Sequence, residues 1–230
     1  MGCRRRTSGW LGLAACLLFA VPARPAGLFR SSHPLPATVD VALDEMSEQD
    51  QARVRGVLDR PTLSARGSTE TFHCQPEVYR WLLDHPDRAA HMWKRMGAVC
   101  ADITDRGGGR FGWSDGQGSD LVWETVLRSP QQHVWYAEGV VRPGALLPLV
   151  TVRAVVVLHT TEGHDGAGRP AMRHWGEVVL HTDSRAAALA TRLAGGSAPR
   201  MAEQYVAQVQ TFFAALAWRL DRVPAKKEAE

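Results

Sequence analysis

Phe72-His73-Cys74-Gln75-Pro76-Glu77-Val78-Tyr79-Arg80-Trp81-Leu82-Leu83-Asp84 is where the chain changes from strand to helix, and that change organises the rest. Residues 62–74 contain Thr and Phe with no helical period and read as a strand. Pro76 opens a helix at its first turn, where a missing N–H costs nothing. This helix runs to about Leu83, breaks at Asp84-His85-Pro86-Asp87, and resumes from Arg88 to Met96.

A run of hairpins follows. A strand at about 99–105 is turned by Gly107-Gly108-Gly109 into one at 110–115. Gly116 and Gly118 lead into Asp120 to Arg128, and Ser129-Pro130 into His133 to Val141. A Pro143-Gly144 break precedes a long strand from about Leu149 to Thr161, and Gly163 to Pro170 links it to a last strand at 171–182. Leu121, Trp123, Thr125 and Leu127 share one face, opposite Asp120, Glu124 and Arg128. Val150, Val152, Ala154, Val156 and Leu158 repeat the alternation. One-sided strands joined by hairpins predict an antiparallel sheet with one covered face.

The cover is C-terminal. Thr182-Asp183-Ser184 caps a short Ala-rich helix ending at Gly195-Gly196, and a long helix runs from about Pro199 to Arg222. Met201, Tyr205, Val209, Phe212, Phe213, Leu216 and Leu220 form its stripe, while Glu203, Gln204, Gln210 and Arg219 face elsewhere. Residues 223–230 are a charged tail.

At the other end, Arg4-Arg5-Arg6, the apolar run Trp10 to Val21, and Val21 and Ala23 as small residues before a cut predict a signal peptide over 1–23. The apolar run is shorter than the roughly 20 residues of a spanning helix. The protein is therefore expected outside the cytoplasm, periplasmic, in the cell envelope or secreted, with Arg24 as its first residue. An uncleaved signal, or lipidation of Cys16 in Leu13-Ala14-Ala15-Cys16, would hold it at a membrane. Residues 24–61 read as an arm with one helix at about 40–58, where Val41, Leu43, Met46, Val54, Val57 and Leu58 make a partial stripe. Residues 24–57 are expected to be dispensable for folding, and 62–222 is taken as the domain.

The whole chain has 27 Lys and Arg against 24 Asp and Glu, and three of the basic residues lie in the signal, so the remainder is balanced. Nucleic-acid binding, which needs surplus cations to displace counterions, is excluded. Two of the four cysteines, Cys3 and Cys16, also fall in the signal. Cys74 and Cys100 do not make a metal site, and no CxxC or HxxxH spacing occurs. No phosphate loop or nucleophile motif is present either, and no cofactor is expected.

The order of strand, two short helices, about six antiparallel strands and a long helix resembles the helix-grip fold of the START and polyketide-cyclase (SRPBCC) superfamily. The stretch from Phe72 to Asp84, continuing past an Asp or Pro to Trp93, carries the likeness. It implies an α+β domain, with a curved sheet of six or seven strands wrapped around the C-terminal helix. Between them lies an apolar cavity for a hydrophobic small molecule or lipid. An ordinary filled core needs the same stripe, so both remain open. Trp113, Trp123 and Trp135 at inward parity, with Val156, Tyr205, Val209, Phe212 and Leu216, are the candidate ligand contacts. His174 shares parity with Met172, Val178 and Leu180 and is a weak acid–base candidate beside its structural reading. The helix-grip pattern also makes the first two strands neighbours, which would bring Cys74 and Cys100 into disulfide range. The function expected is an exported carrier or sensor rather than an enzyme. The alternatives are a cavity hydrolase, cyclase or isomerase, and an envelope interaction module with a filled core.

Overall fold

The computed structural model describes residues 39–98, 100–142, 148–185 and 197–222. The expected export signal with Cys16, the Pro143-Gly144 break, the expected Ala-rich helix before Gly195-Gly196 and the charged tail lie outside the described residues. Helix α1 (Glu48–Leu58) precedes β1 (Leu63–Arg66) and β2 (Glu70–His73). Helices α2 (Pro76–Asp84) and α3 (Pro86–Arg95) follow. Then come β3 (Thr104–Gly107), β4 (Arg110–Ser114), β5 (Asp120–Arg128), β6 (Gln132–Val141), β7 (Val150–His164), β8 (Pro170–His181) and the long helix α4 (Ser197–Asp221). Both short helices start on proline, so Pro86 belongs to the second helix rather than to the break before it.

The strands form one curved antiparallel sheet in the order β1-β8-β7-β6-β5-β4-β3, with β2 also paired to β8. Helix α4 packs on β1, β2 and β8 and on α2. This is a helix-grip fold. The sheet has eight strands because the expected first strand is split. At the split, Gln210 of α4 donates to Ser68 O (2.7 Å) and accepts from Gly176 N–H (3.2 Å). A Cβ on Gly67 would stand 1.8 Å from Gln210 Oε1, and one on Gly176 2.9 Å from Val206 Cγ1, so only glycines let the helix come this close. The expectation that Gln210 faces away from the sheet is corrected: it is 1% exposed.

Cys74 and Cys100 are free thiols, which corrects the expected disulfide. Cys74 follows β2, which pairs β8, whereas Cys100 precedes β3 on the opposite edge of the sheet. The strands they adjoin are not neighbours. Cys74 Sγ donates to Gln75 O and Cys100 Sγ to Ala90 O instead, and burial pushes the Cys74 thiol up to about 12.

The sheet is covered on both faces, not one. Val54 and Val57 of α1 are fully buried, and with Met46 they pack on Leu127, Val134, Tyr136, Val155, Val157 and Val179 of the outer face. Val41, Leu43 and Leu58 border the same cluster, so the partial stripe of the arm is its packing surface. Gln132 holds the approach to α1 by accepting from Ala42 N–H and donating to Asp40 O, both at 3.0 Å. Arg53 lies 4.1 Å over the Tyr136 ring and 2.6 Å from Glu124 Oε1. Residues 39–58 of the arm thus pack on the sheet's outer face, which weighs against the expectation that the arm is dispensable for folding. Leu127 joins this outer cluster because a bulge shifts the register between Thr125 and Leu127. One extra residue reverses the parity of everything after it.

Candidate functional site

Cross-strand register lays out the inner face in rows. Phe111, Trp123, Ala137, Ala154, Leu180 and Leu63 are successive partners across the sheet. Thr125, Trp135, Val156, Val178 and Ala65 form the next row, and His133, Leu158 and Gly176 the one after. These rows end differently. Toward α2 and α3, Leu158, Met172, Tyr79, Leu82, Leu83, Phe212 and Leu216 interlock in a buried cluster. In the first two rows Trp123, Ala137, Leu180, Thr125, Val156 and Val178 stay half-buried. The inner face therefore has a packed end and a half-buried apolar end, termed the trough below.

The sequence-selected residues divide along this line. Trp135, Phe212 and Leu216 are buried in the packed cluster, and Trp123, Val156 and Val209 border it half-buried. Trp113 is buried in a separate cluster with Leu121, Val141, Val150 and Val152. Tyr205 is half-buried on α4. A further open cleft of about 470 Å³ lies at α2 and α3, lined by Trp81, Asp87, Arg88, His91, Met92 and Ile103, and contains none of them.

His174 points inward and is fully buried. The Tyr79 phenol bonds its Nδ1, and Nε2 faces Glu70 Oε2 at 3.5 Å without a hydrogen bond. Burial drives the Tyr79 phenol well above its ordinary range, so it stays protonated and donates. Burial also lowers the His174 imidazole, against the pull of Glu70, and keeps it neutral. Tyr79 arrives by helical spacing, sharing the buried face of α2 with Leu82 and Leu83. Phe72 packs on both rings, 5.3 Å from Tyr79 and 4.9 Å from His174. The phenol keeps its proton and the imidazole remains the acceptor, and neither is exposed to a substrate.

His133 and Thr125 were not singled out from sequence. His133 Nε2 and Thr125 Oγ1 are 3.1 Å apart, and the imidazole lies 4.3 Å from Trp135. The available signal was parity, since His133 is two residues before Trp135 on one strand. Burial, with Arg128 adding to it and Asp84 opposing, lowers the His133 imidazole to about 4. Arg128 is itself held by Asp84 at 2.5 Å. Between the ordinary imidazole value of about 6.5 and about 4, the unfolded chain binds a proton that the folded protein refuses. Stability should therefore fall as pH drops through that window, by at most about 1.4 kcal/mol per unit from this group. Urea midpoints at pH 7 and 4.5 should converge in His133→Gln relative to the native protein, and an unchanged difference would show the histidine is not the cause.

No protein-family model matches the chain, and no curated protein is significantly similar to it. Some solved structures are remotely similar to it. A conserved protein from Geobacillus kaustophilus is 16% identical, with 66% of this chain and 96% of that one covered and a TM-score of 0.44. Norcoclaurine synthase from Thalictrum flavum, solved with dopamine and hydroxybenzaldehyde, is 12% identical over 84% of this chain and 99% of that one, with a TM-score of 0.41. The di-domain ARO/CYC BexL from the BE-7585A biosynthetic pathway is 15% identical over 73% and 53%, with a TM-score of 0.37. The helix-grip fold itself is carried by the strand order described above.

Proposed function

We propose that this protein is an exported carrier or sensor that binds a hydrophobic small molecule or lipid in the trough between the sheet and the C-terminal helix. One observation supports this most directly. Six inner-face residues on β5 to β8 are apolar or nearly so, sit in register, and remain half-buried beside a packed core. Apolar surface at the wall of a concavity is favourable to cover, at about 25 cal/mol per Å² removed from water. The signal-peptide pattern of residues 1–23 supports delivery outside the cytoplasm. Native mass spectrometry of the exported protein after gentle extraction tests both parts. A co-purifying lipid or apolar metabolite on a chain starting at Arg24 is expected. A ligand-free protein that takes up no apolar compound would overturn the binding reading.

The Tyr79–His174–Glu70 arrangement favours a second reading, turnover of the bound molecule. Its mark would be a chemically altered ligand released by the native protein and left unaltered by His174→Gln. Full burial of Tyr79 and His174 supports a structural role first.

A further inference from the structure

The charges around the trough are placed at its ends. Among the described inner-register positions of β5 to β8, Arg128 and Glu162 are the Asp, Glu, Lys or Arg side chains, and each is paired across to α2, with Asp84 and Arg80 respectively. The described inner-register residues of these strands offer Trp123, Ala137, Val156, Val178 and Leu180 half-buried, with one half-buried hydroxyl, that of Thr125, at the end of its row. Thr125 is hydrogen-bonded to His133.

We infer that the trough selects an uncharged ligand carrying a single hydroxyl-type group, with the Thr125–His133 pair as its polar contact. This deepens the carrier reading and rests on it. A buried carboxylate or ammonium would need a counter-charge, and among the described inner-register residues of β5 to β8 no unpaired Asp, Glu, Lys or Arg occurs. His133 does not supply it, being neutral above about pH 4. The span from β5 to β8 is about 14 Å, three strand spacings, a length that a twelve-carbon chain covers.

The test is displacement of the neutral fluorophore N-phenyl-1-naphthylamine from the full exported chain at pH 7.5. The competitors are 1-dodecanol, dodecanoate and dodecyltrimethylammonium. Dodecanol should displace at concentrations at least tenfold below either ion. Thr125→Val should raise its half-displacement concentration threefold or more, and Thr125→Ser should keep the native value. Dodecanoate or the ammonium matching dodecanol within threefold would overturn the selectivity while leaving the trough reading intact, as would a Thr125→Val protein of native circular dichroism and unchanged dodecanol affinity. Failure of the fluorophore and all three competitors to bind would remove the trough reading and this inference with it.

Discussion

Phe212→Asp should abolish cooperative folding at room temperature. Phe212 is 5% exposed, 5.1 Å from the Trp93 ring and 5.0 Å from Phe213, in the cluster that also holds Trp135 and Leu216. Truncating such a phenylalanine costs about 3–5 kcal/mol through lost burial and the cavity left behind. An unpaired carboxylate in the same place adds several more. Together these approach the roughly 5–15 kcal/mol that holds a domain folded. Gln210→Asp should also be costly, by about 2–4 kcal/mol, because it strips the donor from Ser68 O and sets a carboxylate against that carbonyl. Urea unfolding followed by circular dichroism orders the three proteins. A Gln210→Asp variant as stable as the native chain would mean that the helix does not clamp the split strand.

Val57→Asp on the first helix should cost about 3 kcal/mol or more. The side chain is fully buried against the outer face of the sheet, in a cluster with Val134, Val155, Val157 and Val179. Arg55→Gln, on the exposed side of the same helix, should change stability by about 0.5 kcal/mol or less. Equal midpoints for the two variants would show that the helix docks without contributing to the core. The contrast also decides where the folding unit begins, since residues 39–58 bury apolar surface that the sheet otherwise leaves to water.

The two corrections on helices have one origin. Gln210 lies four residues after Val206, three before Phe213 and seven before Ala217, all buried, so its position was on the inner stripe. Amide polarity suggested solvent, but a split strand left a carbonyl and an N–H for that amide to satisfy. Likewise the weak stripe of the arm looked dispensable until a second apolar sheet face, Val155, Val157 and Val179, was there to receive it. Leu127 changed faces for a different reason, a bulge, which alternation alone does not announce.

By itself the sequence determined the element types and most of their limits, because hairpin glycines, prolines at helix starts and side-chain period are local properties of the chain. It also determined the inner parity of Trp123, Trp135, Val156 and His174, since alternation along an unbulged strand is fixed by the pleat. Tertiary structure alone decided which strand edges meet, and so why Cys74 and Cys100 lie at opposite edges. It alone brought Tyr79 to His174 and Thr125 to His133, across 95 and 8 residues. It alone divided the inner face into a packed end and a half-buried trough. Burial depends on what lies across from a side chain, and that partner is chosen by the whole fold rather than by neighbours in sequence.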